Sequence, residues 1–253
     1  MISFKKVWKK LGGETVLGGI SFSLAADGVY CITGPSGCGK TTTLRILAGL
    51  EQPDSGEVIL PQDRQVSFSF QEPGLLPWKT AEENITFVLR DLMSPGRCLK
   101  TAGEYLNLMG LWKYKDYYPA AMSGGMRQRV GLCRAFAYPH RLLLLDEPFK
   151  SLDLPLKLTL LKDVLKIWSL APRTVVWVTH DIAEAALMAH RVLVFSAKPA
   201  VVKSQLAIDL PPRERNLGDS RVARLISDIL EIMEGEAKLE KGMGESDEKY
   251  QRD

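Results

Sequence analysis

The sequence predicts an α/β fold: a parallel-sheet core with an antiparallel β subdomain at its N-terminal side and a helical insertion near its middle. Three observations carry that expectation. Short runs such as Leu142 to Leu145 and Thr174 to Val178 are continuously apolar, which suits strands buried on both faces beneath helices. ISFKKVW, ETVLGGISFSL and, after the Pro53-Asp54-Ser55 turn, Gly56 to Leu60 read as strands of an antiparallel element. From about Thr80 to Phe136 the pattern is mostly helical and interrupts the strand series.

Gly28-Val29-Tyr30-Cys31-Ile32-Thr33 is an apolar run leading into a glycine loop, and Thr41 to Leu50 then has helical character. VSFSF, ending at Phe70, and Val192 to Phe195 supply further strands. Val222, Leu225, Ile226, Ile229, Leu230 and Met233 fall at helical spacing, the pattern of a packing helix. No repeat of 20–50 residues is visible. One domain is expected over residues 1–233, with the β subdomain within about 1–70, the helical subdomain at about 80–136 and the core in the remainder. Residues 234–253 hold seven acidic and four basic residues, net −3 against +6 for the rest. With little to bury, they read as a solvated, charged tail.

Composition narrows the classes. The chain has 253 residues, 45% hydrophobic and 25% charged, with a mean hydropathy of −0.05, values of a soluble globular protein and not of a disordered one. No apolar run approaches the ~20 residues needed to span a bilayer. The start, MISFKKVWKK before LGGETVLGGISFSLAA, has the outline of a signal peptide, but Glu14 and two Gly-Gly pairs break its apolar part. Cys31, Cys38, Cys98 and Cys133 show no CxxC or metal-site spacing, which fits a reducing cytosol. A net charge of +3 is too small to argue for nucleic acid.

Two motifs carry chemistry. Gly34-Pro35-Ser36-Gly37-Cys38-Gly39-Lys40-Thr41 matches the phosphate loop G-x-x-x-x-G-K-[ST], between an expected buried strand and a helix that continues through Thr42. Its glycines let consecutive N–H groups cradle phosphate oxygens, and the helix start adds a positive end. Lys40 then meets the β- and γ-phosphates, and the Thr41 hydroxyl is a Mg²⁺ ligand. Leu142 to Leu145 ends in Asp146, Glu147 and Pro148, placing two carboxylates at a strand's carboxyl end, beside the phosphate loop in a parallel sheet. Asp146 is positioned to hold Mg²⁺, and Glu147 to polarise an attacking water.

Four further elements fall in order around these motifs. Gln71 closes the VSFSF strand. Ser123-Gly124-Gly125-Met126-Arg127-Gln128-Arg129 lies 23 residues before Asp146, Ser151-Leu152-Asp153 follows Pro148, and Thr179-His180-Asp181 closes TVVWV. In these motifs, spanning Gly34 to Asp181, the chain resembles the ATPases of ATP-binding-cassette transporters. The resemblance implies a P-loop NTPase (RecA-like) core, ATP and Mg²⁺ as cofactors, and ATP hydrolysis. It makes Gln71 a contact to Mg²⁺ and the attacking water, His180 a holder of the γ-phosphate that supports Glu147, and Asp153 the D-loop carboxylate. It also implies that Ser123, Gly124, Gly125 and Met126 face a nucleotide bound to a second subunit, identical or paralogous, in a head-to-tail dimer that closes around two ATP molecules. His140 and His190 match no motif and are expected in solvated or core positions.

Three residues depart from the family pattern. Met126 stands where Gln is usual, Leu11 where an aromatic stacks on adenine (with Trp8 three residues away), and Lys150 where a small residue is usual, close to the dimer interface. No phosphate-handling group is lost. FQEPGLLPWKTAEENI, from Phe70 to Ile85, and LPPRERN, from Leu210 to Asn216, are similar to importer ATPases serving nitrate, sulfonate, taurine and thiamine-precursor or riboflavin-type uptake. In that group the first segment accepts a helix of the membrane subunit. Leu75, Leu76, Pro77 and Trp78 either form that groove or pack on the helical insertion. The chain leaves no room for the regulatory domain of carbohydrate importers. The expectation is a subunit that energises import through a separate transmembrane permease fed by an extracytoplasmic solute-binding protein, peripheral to the cytoplasmic face of the cell membrane and without a nucleic-acid partner. An exporter or lipid-extraction ATPase, and a soluble cassette ATPase acting on nucleic acid or ribosomes, are the alternatives.

Overall fold

A computed structural model of the chain describes residues 1–61, 65–150 and 152–247, the last thirteen of these as backbone. Ser151 of the expected D-loop lies outside the described residues. β1 (Ile2–Leu11) and β2 (Glu14–Leu24) pair antiparallel across the Gly12-Gly13 turn. β3 (Val29–Thr33) then enters the core and runs through the glycine loop into α1 (Lys40–Leu47). The chain returns as β4 (Ser55–Ile59), antiparallel to β1, so the first sheet has the order β2-β1-β4.

The second sheet collects the apolar runs. β5 (Val66–Ser69), β6 (Leu142–Asp146), β7 (Thr174–Val178), β8 (Arg191–Phe195) and β9 (Val202–Ala207) join β3 in the order β5-β6-β7-β3-β8-β9. β5 to β8 and β3 are parallel. Every residue of β3, β6 and β7 is buried, as strands covered by helices on both faces must be. β9 runs antiparallel to β8 along the edge. Its residues alternate between half-buried and exposed, so it carries no continuous apolar run and is the strand that the sequence pattern leaves unmarked.

The helical insertion consists of α2 (Ala81–Leu89), α3 (Pro95–Leu108) and α4 (Gly124–Ala137). Each start is written in the sequence. Thr80 and Glu83 form a capping box on α2, Pro95 occupies the first turn of α3, and the Ser123 hydroxyl accepts the Met126 N–H at the start of α4. These helices share one apolar cluster with a face of the large sheet, through residues such as Ile85, Leu106, Leu132, Leu143 and Trp177. The opposite face and the small sheet form a second cluster around Phe4, Leu17, Ile32 and Leu44. Each such side chain contributes about 1.5–3 kcal/mol by leaving water.

α5 (Leu154–Leu170), α6 (Ile182–Met188) and α7 (Ser220–Asp247) complete the chain. Val222 and Ile229 bury the apolar face of α7, and the helix continues into the charged segment after residue 233. No helix among the described residues is long and apolar enough to cross a membrane.

Candidate functional site

Three adjacent strands deliver the site. β3, β7 and β6 lie side by side and parallel, so the glycine loop, Thr179-His180 and Asp146-Glu147 all leave the sheet at its carboxyl edge. Crevices at that edge are where open α/β sheets bind ligands. β7 stands between the other two, so the acidic strand is one place further from the glycine loop than immediate neighbours would be. Contact is made by side chains instead: the Thr41 hydroxyl donates to Asp146 Oδ1 at 3.2 Å.

The loop from Gly34 to Gly39 folds tightly onto the small sheet. Gly39 has φ 114°, and a Cβ there would stand 2.8 Å from Leu17 Cδ2 and 2.9 Å from Val16 Cγ1, so the turn into α1 admits only glycine. Cys38 is buried beneath the loop. Thr42 and Thr43 are buried on the inner side of α1, and the Thr43 hydroxyl bonds the Gly39 carbonyl. The Lys40 ammonium, also buried, donates to the carbonyls of Gly34 at 2.9 Å and Pro35 at 2.7 Å. It thus arches over its own loop, a cation held ready beside the N–H groups of a helix start.

Asp146 is buried. Burial pushes its carboxyl above the usual range, and the Thr41 hydrogen bond pulls the other way. Glu147 follows in a left-handed backbone conformation, φ 46°, which costs a non-glycine residue about 1–2 kcal/mol and turns its side chain out of the strand. Its Oε1 lies 3.3 Å from His180 Nδ1 and its Oε2 2.8 Å from Lys150 Nζ. The second contact pairs charges without hydrogen-bond alignment, since Oε2 has no aligned donor. Burial works against ionisation of Glu147, yet Lys150 and then His180 outweigh it and hold the carboxyl below its ordinary range.

Packing fixes this turn. The Glu147 N–H donates to the Val178 carbonyl at 2.9 Å. Phe149, fully buried, meets the Trp177 ring edge to face with centroids 5.1 Å apart, worth about 0.5–1.5 kcal/mol beyond area burial. The turn that carries His180 is tied down by a largely buried group of which only Thr179 and Asp181 lie in a motif. Lys157 on α5 ion-pairs with Asp181 at 2.7 Å and Glu184 at 2.8 Å, and the Thr179 hydroxyl donates to Glu184 at 2.8 Å. Asp153, exposed, begins α5 one turn before Lys157, which ties the D-loop to the histidine turn.

The remaining expected residues are not gathered here. Gln71 lies two residues beyond the end of β5, is exposed, and lines a cleft of about 400 Å³ with Pro73, Gly124 and Arg127. It makes no hydrogen bond with Thr41, Asp146 or Glu147. That segment is joined to α4 instead. Pro73 sits on Gly131, where a Cβ would come within 2.7 Å of Pro73 Cβ, and Arg134 donates to the Gly74 carbonyl at 3.1 Å. Asn84, fully buried, exchanges hydrogen bonds with both backbone groups of Leu76 and donates to the carbonyls of Lys79 and Thr80. It therefore pins the Leu75–Trp78 turn. Leu75 packs inward on the first apolar cluster, whereas Trp78 is 70% exposed.

Ser123, Gly124 and Gly125 form the start of α4, with Ser123 and Gly124 exposed. Met126 is half-buried against the first apolar cluster. Met126→Gln should therefore leave ATP turnover within about twofold and lower stability by about 1 kcal/mol, since it moves a packed apolar group to a polar one. A steady-state rate and a thermal melt check this. Leu11 and Trp8 are both partly exposed, and the Trp8 ring covers Gly19.

The groups without motifs have structural work. The His140 ring is buried, with Nδ1 2.6 Å from the Tyr138 carbonyl, and burial lowers its pKa to about 4. His190 Nδ1 accepts the Val29 N–H at 3.1 Å. Between pH 6.5 and 4 the unfolded chain protonates its histidine while the folded chain keeps His140 neutral, so stability falls as the pH drops through that window. Lowering the pH from 7.5 to 5 should cost about 2 kcal/mol at this residue. In His140→Gln the gap between melting temperatures at the two pH values should narrow, and an unchanged gap would exclude His140 as the source. The thiols of Cys31 and Cys133 are buried and pushed far above the usual range, which makes them inert. Arg215 of LPPRERN is buried and donates to the carbonyls of Leu210, Ala186 and Ala189. Among the described residues, no cluster of three or more His, Cys, Asp or Glu side chains is placed to hold a metal.

Comparison with known proteins identifies the family and the fold. The family profile described as "ABC transporter" matches residues 17–150. The chain is 37% identical over 240 residues to the aliphatic sulfonates import ATP-binding protein SsuB 1 of Mesorhizobium japonicum, covering 92% of this chain and 88% of that protein. It is 40% identical over 223 residues to the protein of the same description from Pseudomonas savastanoi pv. phaseolicola, covering 88% and 91%. Among solved structures, the dimeric post-hydrolysis state of the ATP-binding cassette MJ0796 bound to ADP and Pi superposes with a TM-score of 0.73 at 30% identity, covering 83% of this chain and all of that one.

Proposed function

The chain belongs to the ABC transporter family and is an ATPase of the cassette type, and we propose that its hydrolysis of ATP energises solute import through a separate transmembrane permease. The observation that carries the reading is the convergence of Lys40, the Thr41–Asp146 hydrogen bond and the Glu147–His180 pair at three adjacent strand ends. Phosphoryl transfer to water needs positioned charges and a base, not a covalent nucleophile, and this set supplies both. Import is supported by the names of relatives at 37–40% identity and by the segment from Phe70 to Ile85.

The glycine loop and Lys40 take the ATP phosphates, with Gly34 to Thr42 wrapping them. Thr41 and Asp146 present hard oxygens 3.2 Å apart beside that cradle, a donor pair that suits Mg²⁺. Mg²⁺, when bound there, neutralises charge on the β- and γ-phosphates. Glu147 accepts the proton of the attacking water, and His180 holds the γ-phosphate end and orients the carboxylate. Gln71 completes the set by turning inward from its cleft when nucleotide is bound. Ser123, Gly124 and Gly125 of a second cassette, identical or paralogous, close the site from across a head-to-tail dimer, with Met126 packed behind them on its own apolar cluster and Asp153 at the seam.

The exposed Trp78, with Leu76 and Pro77, meets a helix of the permease, which places the chain on the cytoplasmic face of the membrane. Trp78→Ser should weaken co-purification with the permease at least tenfold and leave the melting temperature unchanged. Undiminished co-purification removes this contact. Direction is tested by reconstituting the chain with its permease and solute-binding protein in vesicles. ATP-driven solute movement from the binding-protein side to the ATP side is the expected result. Movement the other way makes it an exporter, and co-purifying RNA or ribosomes overturns the transport reading altogether.

A further inference from the structure

The turn after β6 holds one charge that the ATPase chemistry does not require. That charge is the Lys150 ammonium, three residues after Glu147. Its Nζ lies 2.8 Å from Glu147 Oε2 while His180 Nδ1 lies 3.3 Å from Oε1, so both oxygens of the carboxylate are engaged. We propose that Lys150 is a positioning residue that holds the Glu147 carboxylate in a resting arrangement and must release it before Glu147 can take a proton from water. The proposal rests on Glu147 as the base.

The local structure favours a catch of this kind. Phe149 is fully buried against Trp177, and the Lys150 N–H returns to the Glu147 carbonyl at 3.3 Å. The backbone therefore holds the Lys150 Cα within reach of the Glu147 carboxylate. The carboxylate side is 16% exposed and the lysine side 48%. A shielded base thus faces a long, half-exposed side chain that can swing away on its four-carbon stem. A half-exposed ion pair without hydrogen-bond alignment is a weak restraint. It suits a catch that slows idle turnover, not one that abolishes it.

The full-length chain tests this with four variants. Lys150→Ala should raise kcat for ATP roughly two- to fivefold with KM unchanged, and Lys150→Arg should return the parent rate. Glu147→Gln and Glu147→Gln/Lys150→Ala should be equally inactive, which ties the gain to the base. Thermal melts confirm folding, and Lys150→Met replaces the alanine variant if that one melts early. An unchanged or lower kcat in folded Lys150→Ala, or a change in KM alone, overturns the proposal while Glu147 stands. Normal hydrolysis by Glu147→Gln removes the base reading and the catch together.

Discussion

Glu147→Gln retains ATP binding and loses turnover by about 10²–10⁴-fold, the range that a positioned general base contributes. The substitution keeps the shape of the side chain and an oxygen for His180 Nδ1, now 3.3 Å from Oε1. It removes the negative charge that, in the proposed mechanism, accepts the proton. Nothing in the proposed phosphate cradle is touched, since Lys40 and Thr41 lie on α1 and Glu147 just beyond the end of β6. With binding intact and hydrolysis stopped, the ATP-bound arrangement has no exit. The variant should accumulate on a sizing column as a nucleotide-held dimer that disperses when ATP is withdrawn. Nucleotide affinity by fluorescence and a steady-state phosphate assay separate the two properties. Hydrolysis at the parent rate would mean that another group activates the water.

Arg215→Ala produces the largest loss of stability that the structure implies outside the apolar clusters. The guanidinium is 7% exposed and finds no carboxylate partner among the described residues. It donates instead to the carbonyls of Ala186 at 2.9 Å and Ala189 at 2.7 Å, and from Nε to Leu210 at 2.8 Å. Two of these belong to the end of α6, whose last carbonyls have no partner within the helix. Burial lowers the pKa of Arg215 to about 10, so it stays charged at neutral pH. Removing it leaves buried acceptors unpaired at about 1–3 kcal/mol each. Allowing for relaxation, the loss is about 3 kcal/mol and the melting temperature falls by about 6–12 °C. Arg215→Lys should rescue little, because one ammonium cannot reach carbonyls on two sides. A shift below about 2 °C in a melt would show that water replaces the guanidinium without penalty.

The legible part of the site was the part carried on the sheet. A phosphate loop after one buried strand, paired carboxylates after a second and a histidine after a third are local patterns, and a parallel sheet brings any such strand ends to one edge. Fold class was legible for the same reason, since continuous apolar runs leave few alternatives to two-sided burial. Three kinds of information were not local. The grip of Asn84 and Arg215 on backbone carbonyls depends on loops returning to a side chain, and neither residue has a spacing that announces it. The Lys157–Asp181–Glu184 group joins residues 24 and 27 positions apart on different elements, of which only Asp181 lay in a motif. Gln71 was expected at the end of its strand, but β5 stops at Ser69, and the following segment follows α4 because Gly131 leaves room for Pro73. Lys150 was visible as a departure. Its hold on Glu147 required the left-handed turn that only coordinates reveal.

The joint between Pro73 and Gly131 makes the Trp78 surface and the amide-rich start of α4 into a single lever. Arg134 clamps the loop above it and Asn84 stiffens the turn beyond it. A permease helix pressing on Trp78, as proposed, would bear on α4 through this joint. Gly131→Val, by prying the joint open, should leave both ends intact and break the transmission between them.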